Sequence, residues 1–245
     1  MFDAEMDFHS YVAADYELRA ADELPVSQAA KDRARSFGLR YLVPVGNPRL
    51  VRPRRKALDF AVGLLLRTPK PPLTSDEEDR KKEIPNADEV AHLERNSLAI
   101  AKHIGLLKAG RDPENSYSNE DNHGSLLSWL ELAQSIQLMF DGPPGATELG
   151  VGRLAIYLAY KPDKSRSMAV RPETTRGVLI YHAAQMIAKG TESRTCEHCG
   201  TTFLSGGTGR GKDKKRGDAR FCSDECRWKF HNESRRRALE EESKQ

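Results

Sequence analysis

The sequence predicts an α+β protein with a helix-rich main body and a small C-terminal treble-clef zinc finger. Apolar residues recur at helical spacing over several long segments, and shorter segments rich in Ile, Leu, Val and Tyr lie beside turn residues. All four cysteines lie between residues 196 and 226. The chain has 245 residues and is 38% hydrophobic, which suffices for a core in one or two domains.

The body is predicted to alternate between helices and short strands. Helical spacing predicts helices over residues 11–37 (one or two, interrupted near Pro25), 57–67, 93–107 (stopped by Gly110), 126–140 and 174–189. Composition predicts strands over residues 41–45 and 50–52, which flank a turn at 46–48, and over 153–160 and 168–171. These elements predict a helix-rich α+β body over residues 1–190, followed by the zinc finger over residues 191–245.

Residues 68–90 interrupt the pattern inside the body. They contain four prolines and an acidic run at 76–79, a composition that is typical of a flexible linker. No apolar run approaches the roughly 20 residues that are needed to cross a bilayer, and the acidic N-terminus lacks the features of a secretion signal. We therefore expect a cytoplasmic protein without a membrane partner.

The cysteines have the spacing of a metal site. A Cys-x2-Cys pair (Cys196 and Cys199) is followed by 22 residues and then by a Cys-x3-Cys pair (Cys222 and Cys226). Thiolates bind zinc tetrahedrally, and two close pairs can supply all four ligands, so we expect one structural zinc ion. Two disulfides are the rival in an oxidising compartment, and an iron–sulfur cluster is the rival among metals. The residues that flank the cysteines favour zinc.

Those flanking residues predict a knuckle, a hairpin and the start of a helix. Gly200 permits the tight turn after the first cysteine pair. Residues 201–204 predict a strand that pairs with 219–221. Ser223 is a favourable N-cap, and the acidic residues that follow it suit the positive end of a helix dipole. A segment of about 45 residues buries too little apolar surface to fold alone, so metal binding is expected to drive its folding.

The finger is also basic. Residues 205–237 contain eleven Lys and Arg against five Asp and Glu, and this excess of positive charge remains after four thiolates and a divalent ion are added. A basic loop beside a helix with interleaved Trp228 and Phe230 is typical of proteins that bind a phosphate backbone. The candidate nucleic-acid-binding residues are Arg210, Lys212, Lys214, Lys215, Arg216, Arg220, Arg227, Lys229, Arg235, Arg236 and Arg237. A solvated surface, with an aromatic residue packed on the body, is the alternative.

Residues 194–237 carry a motif in three segments. These are Arg194-x-Cys196-x2-Cys199-Gly200-x2-Phe203, Arg220-Phe221-Cys222-Ser223-x2-Cys226-Arg227 and Asn232-x2-Ser234-Arg235-Arg236. Together they resemble the C-terminal zinc fingers of bacterial proteins related to the CGNR family, and the middle segment is also similar to FCS-type fingers. Arg-Trp-Lys at 227–229 stands where the name-giving motif has Gly-Asn-Arg. The resemblance implies a bacterial transcriptional regulator that binds nucleic acid, DNA more than RNA.

An enzymatic function is not expected. Treble clefs also form His-Asn-His nucleases, but residues 200–230 contain no histidine to activate water. The sequence shows neither a Ser-His-Asp pattern nor paired carboxylates. The alternative to nucleic-acid binding is therefore a zinc module that docks on a protein partner, for which the similarity to small zinc proteins that inhibit bacterial gyrase is the precedent.

Overall fold

The fold is α+β, as predicted: helices and small antiparallel sheets precede a cluster of cysteines. A computed structural model describes residues 10–24, 27–36, 38–47, 49–68, 86–105, 124–141, 154–160, 166–172, 174–207 and 217–242. The candidate residues between 210 and 216 and most of the predicted linker at 68–90 lie outside these ranges.

The described part of the chain contains six α-helices. They are α1 (Gln28–Ser36), α2 (Arg55–Leu66), α3 (Ala87–Ile104), α4 (Leu126–Asp141), α5 (Thr175–Ala188) and α6 (Asp224–Glu242). The strands are β1 (Ser10–Val12), β2 (Asp15–Arg19), β3 (Tyr41–Val45), β4 (Arg49–Val51), β5 (Gly124–Ser125), β6 (Leu154–Tyr160), β7 (Arg166–Pro172), β8 (Thr191–Thr195) and β9 (Thr202–Gly206). All pairings are antiparallel: β1 with β4, β2 with β3, β3 with β5, β6 with β7, and β8 with β9.

The prediction of helix at the start of the body is wrong over residues 11–19, where the chain forms most of β1 and all of β2. Strand β2 pairs with β3 along five residues, and Tyr16 and Leu18, two positions apart, both pack against the main core. Cross-strand pairing therefore overrides the local helical pattern. The strands predicted at 41–45 and 50–52 form, but each pairs with another strand rather than with its neighbour. Helix α3 ends at Ile104 rather than near Gly110, because Gly105 takes a φ of 82°.

Helix α2 is the central element of the body. It packs against α3, α4 and α5, and it also contacts β9 of the finger. Its inner face contributes Val62 and Leu65 to a core that also holds Trp129 and Leu179. The buried His182 of α5 braces α2 through its Nε2, which lies 2.8 Å from Asp59 Oδ1. The helices predicted at 57–67, 126–140 and 174–189 are confirmed as α2, α4 and α5.

Two buried amides hold the C-terminal end of α2. Asn96 Nδ2 donates to the carbonyl of Leu64 at 3.1 Å, and Gln137 Nε2 donates to the carbonyl of Thr68 at 2.6 Å. The last carbonyls of a helix lack the N–H donor four residues further on, and the carbonyl of Leu64 accepts from Asn96 in addition to the N–H of Arg67. The end of α2 is thereby fixed against α3 and α4.

The finger hairpin β8–β9 lies directly on this body. Arg67, at the end of α2, donates from Nε to the carbonyl of Thr202 at 3.2 Å. Leu204 packs against the main core, and its Cδ1 would lie 4.0 Å from a Cβ placed on Gly63. The division of the chain at residue 190 stays a prediction, but the hairpin that follows this point is joined to the body by packing and by hydrogen bonds.

Candidate metal centre

The structure brings the four predicted cysteines together. Their Sγ atoms all lie within 4.8 Å of one another, with Cys222 Sγ 3.6 Å from Cys199 Sγ and 3.5 Å from Cys226 Sγ. Four sulfurs at about 2.3 Å from a tetrahedral zinc ion are separated by about 3.8 Å. A disulfide requires about 2.05 Å, and all four cysteines are free thiols. The arrangement therefore fits a shared metal ion.

The first cysteine pair lies at the tip of the β8–β9 hairpin. Cys196 N donates to the carbonyl of Thr201 at 3.0 Å, and Gly200 N donates to the carbonyl of Cys196 at 2.9 Å. Gly200 adopts a φ of 70°, which L side chains rarely take, so the predicted role of this glycine in the tight turn is confirmed. The hairpin thus points both sulfurs toward one position.

The predicted pairing of the strand after the knuckle with residues 219–221 is wrong. Strand β9 pairs with β8 over five residues, because β8 enters the knuckle directly and is held in register from Thr191 opposite Gly206 to Thr195 opposite Thr202. Residues 219–221 instead lie along the knuckle, where Glu197 N donates to the carbonyl of Arg220 at 3.1 Å. The knuckle therefore belongs to the hairpin, and the segment after the basic loop closes over it.

The second cysteine pair lies at the start of α6. Ser223 Oγ accepts a hydrogen bond from Cys226 N at 3.1 Å, which confirms Ser223 as the N-cap, and Asp224 and Glu225 occupy the first turn. Cys222 precedes the helix and Cys226 lies four residues later, so both sulfurs face the knuckle. The cap and the second cysteine pair therefore lie at the same helix end.

The core beneath the sulfurs is small. Cys196, Phe203 and Phe221 are buried, and Phe230 of α6 packs on them with its ring centroid 5.2 Å from that of Phe221. Such a cluster supplies little apolar burial compared with the body. A metal ion would add the cross-link that this part of the chain needs.

The electrostatics of the thiols also favour a cation. Burial opposes ionisation of Cys196, but the backbone N–H groups of Cys199, Cys222 and His198 outweigh it and lower the pKa of Cys196 to about 6. A hydrogen bond from Thr201 lowers the pKa of Cys199. Burial and the neighbouring cysteines raise the pKa of Cys222 to about 12. The site therefore favours the thiolate forms of Cys196 and Cys199 but opposes ionisation of Cys222, and a divalent cation bound between the sulfurs would favour the thiolate of Cys222 as well.

The guanidinium of Arg220 contacts other residues of the finger. Its guanidinium forms a bidentate pair with the carboxylate of Glu197, and this pairing lowers the pKa of Glu197. The same guanidinium lies 5.7 Å from the ring centroid of Phe221 and 5.9 Å from that of Phe230. Residue spacing gave no signal of Glu197 as the partner, because the contact exists only once residues 219–221 lie on the knuckle.

The other described candidates lie on α6 and are exposed. Arg227 pairs with Asp224 at 3.3 Å, Lys229 with Glu225 at 2.7 Å and Arg236 with Glu240 at 3.6 Å. No ion pair involves Arg235 or Arg237 within the described residues. Arg210, Lys212, Lys214, Lys215 and Arg216 fall outside the ranges that the structure describes.

Helix α6 is not basic along its whole length. It holds five Lys and Arg and six Asp and Glu, so its net charge is 5 − 6 = −1. The acids occupy the two ends, whereas residues 227–237 contain the five bases and one acid, Glu233. The predicted basic helix is thus a basic middle segment between acidic ends.

Comparison with known proteins adds no relative. The chain matches no protein-family model, and neither a curated protein nor a solved structure matches it significantly. The resemblance to CGNR-related and FCS-type fingers therefore rests on the motif in residues 194–237. Among the described residues, no helix has the length and apolar character that a membrane crossing requires.

Proposed function

We propose that this protein is a zinc-dependent nucleic-acid-binding protein, a bacterial transcriptional regulator that holds one structural zinc ion. The cluster of four sulfurs supports the ligands Cys196, Cys199, Cys222 and Cys226. With four protein ligands the ion keeps no open position for water or substrate, which favours a structural over a catalytic role. The motif in residues 194–237 supports the regulatory assignment.

The observation that best supports nucleic-acid binding is the position of α6 relative to the sulfurs. Cys226 and Phe230 pack the first turns of α6 on the knuckle. Between Glu233 and Glu241, every residue whose burial the structure describes is exposed. With 19 residues, α6 is roughly 28 Å long, and every Lys and Arg in its basic segment 227–237 is exposed. Solvent screens these exposed ion pairs and makes them weak, so a phosphate can readily replace the acid in each pair.

The test is the salt dependence of binding by the zinc-loaded protein. Each phosphate contact releases counterions, so affinity for DNA should fall steeply between about 50 and 200 mM salt. Simultaneous replacement of Arg235, Arg236 and Arg237 with Gln should weaken binding and flatten this dependence. The control replaces Arg52, Arg54 and Arg55, which are also exposed and lie at the start of α2, and removes the same charge. Absence of salt-sensitive binding to any nucleic acid would contradict the proposal.

Docking on a protein partner is the second candidate. Trp228 and Leu239 are 66% and 65% exposed, and their separation by eleven residues places them on the same face of α6. Tryptophan is enriched among the side chains that contribute most of the binding energy in protein interfaces. Binding that survives high salt and is lost when these two side chains are truncated would favour this candidate.

A further inference from the structure

The four cysteines of the metal centre differ in their access to solvent. Cys199 is exposed, Cys222 and Cys226 are half-buried, and Cys196 is buried with 1% of its surface exposed. Backbone N–H groups of His198, Cys199 and Cys222 also donate hydrogen bonds to the sulfur of Cys196. Oxidation of cysteine follows thiolate character and access. Because a metal ion would hold all four as thiolates, access decides between them, and a dissolved oxidant reaches Cys199 first.

The sulfur of Cys222 lies within reach of an oxidised Cys199. The two Sγ atoms are 3.6 Å apart, and a disulfide needs about 2.05 Å. Cys199 lies in the turn of the knuckle and Cys222 in the bend before α6, so neither is held inside a helix or a strand. Cys226 Sγ is 3.5 Å from Cys222 Sγ, but Cys226 belongs to α6, where helical hydrogen bonds hold its backbone. The gap therefore closes most easily between Cys199 and Cys222.

We propose that this metal centre is a redox switch, in which hydrogen peroxide joins Cys199 and Cys222 in a disulfide and the zinc ion is released. This inference rests on the zinc site of the proposed function and does not depend on nucleic-acid binding. The thiolate of Cys199 attacks one peroxide oxygen, the O–O bond breaks, and a sulfenic acid and hydroxide form. The thiolate of Cys222 then attacks the sulfenic sulfur, and the S–O bond breaks with loss of a second hydroxide. Two protons from the solvent convert both hydroxides to water, the two sulfurs have lost two electrons, and the ion remains divalent.

Loss of these two thiolates leaves too few ligands for the ion. A structural zinc ion is held by four protein ligands, and only Cys196 and Cys226 would remain. The disulfide keeps Cys222 joined to the knuckle, but Cys226 and the first turn of α6 lose the metal ion that links them to it. Because the apolar cluster beneath them is small, the start of α6 then becomes less protected. Oxidation therefore loosens the exposed helix from the rest of the finger.

The experiment treats the full-length, zinc-loaded protein with hydrogen peroxide and follows zinc release with a chromogenic chelator. Wild-type protein should lose its zinc, and peptide mapping without reductant should identify the bond between Cys199 and Cys222 as the first disulfide formed. Amide hydrogen exchange at the start of α6 should become faster. A dithiol reductant and added zinc should restore both the zinc content and the protection, since a disulfide is reversible whereas sulfonic acid is not.

Two histidine variants separate the access of one thiol from the number of ligands. Cys199→His supplies a nitrogen that zinc also accepts but removes the exposed thiol, so it should keep its zinc under the treatment that empties the wild type. Cys196→His is the matched control, because it changes the buried ligand and leaves Cys199 and Cys222 in place. Peroxide should still release its zinc. The zinc content of both variants is measured before treatment.

The outcomes separate this inference from the proposed function. A purified protein without zinc would overturn both. If zinc is bound but peroxide does not release it, or if the first disulfide excludes Cys199 or Cys222, the inference alone fails. Equal zinc release from the two variants would also overturn it. Should Cys199→His bind no zinc, the identity of the first disulfide in the wild type decides.

Discussion

Around α2, large apolar side chains from four helices are fully buried, whereas the finger buries a cluster formed by Cys196, Phe203 and Phe221. The first cluster resembles the core of an ordinary domain. The second is too small to hold a helix of 19 residues in place, and four sulfurs lie beside it. From this comparison we expect that apolar burial stabilises the body, while a bound metal ion would stabilise the start of α6.

The largest expected effect is loss of the finger when a ligand is removed. Replacing Cys196 and Cys222 with Ser should abolish zinc binding and unfold residues 194–237, because the remaining apolar cluster cannot order them. Zinc content and amide hydrogen exchange of α6 measure the effect. Ser234→Ala, an exposed change further along the same helix, is the control. Unchanged protection of α6 in the double variant would show that the ion is dispensable for folding.

A cavity in the core of the body should lower the stability of the protein without loss of zinc. Leu65 is buried in the core around α2, so Leu65→Ala should lower the free energy of unfolding by about 2–5 kcal/mol. Zinc content should stay at one ion per chain, because the sulfurs do not contact this core. Denaturant unfolding and metal analysis of the same variant measure both quantities. Loss of zinc in Leu65→Ala would mean that the two regions are not stabilised separately.

The stability of the contact between the finger hairpin and the end of the body should fall when one methyl group is added. Gly206 has a φ of 77°, and a Cβ placed on it would lie 2.5 Å from the carbonyl oxygen of Gly190. Gly206→Ala should therefore destabilise the hairpin by about 1–3 kcal/mol. Gly63→Ala is the control, because its Cβ would meet Leu204 Cδ1 at an ordinary 4.0 Å and alanine favours the helix. Equal stability of the two variants, measured by thermal unfolding, would contradict the described contact.

The smallest effect is expected at the ion pair over the knuckle. Glu197→Gln removes the negative partner of Arg220, and because both side chains are exposed the loss of stability should be small. The folded state lowers the pKa of Glu197, so the contribution of the pair is present above its ordinary value of 4.5 and is lost as the pH falls. Thermal unfolding at neutral pH measures the change against Asp224→Asn, which removes the partner of Arg227. Loss of zinc from Glu197→Gln would show a larger role for this pair.

Local signals in the sequence predicted much of the finger. The Cys-x2-Cys and Cys-x3-Cys spacings predicted that the four cysteines cluster, and Ser223 was predicted as the cap, because each of these signals lies within a few positions of the chain. Helical spacing likewise predicted α2, α4 and α5. These features need no knowledge of distant partners.

Contacts between distant segments could not be predicted in this way. Strand β2 forms because β3 lies beside it, and β9 pairs with β8, a strand that the sequence did not predict, instead of with the predicted partner 219–221. Arg67 meets Thr202 across 135 positions, and Glu197 meets Arg220 across 23. The acidic ends of α6 were visible in the sequence, but they became meaningful only once the helix boundaries were known.

The most direct test of metal-dependent folding is X-ray absorption at the zinc edge of the purified, full-length protein. We predict one zinc ion per chain, coordinated by four sulfurs at about 2.3 Å. A protein that holds no zinc, or a zinc ion coordinated mainly by nitrogen or oxygen, would contradict the account.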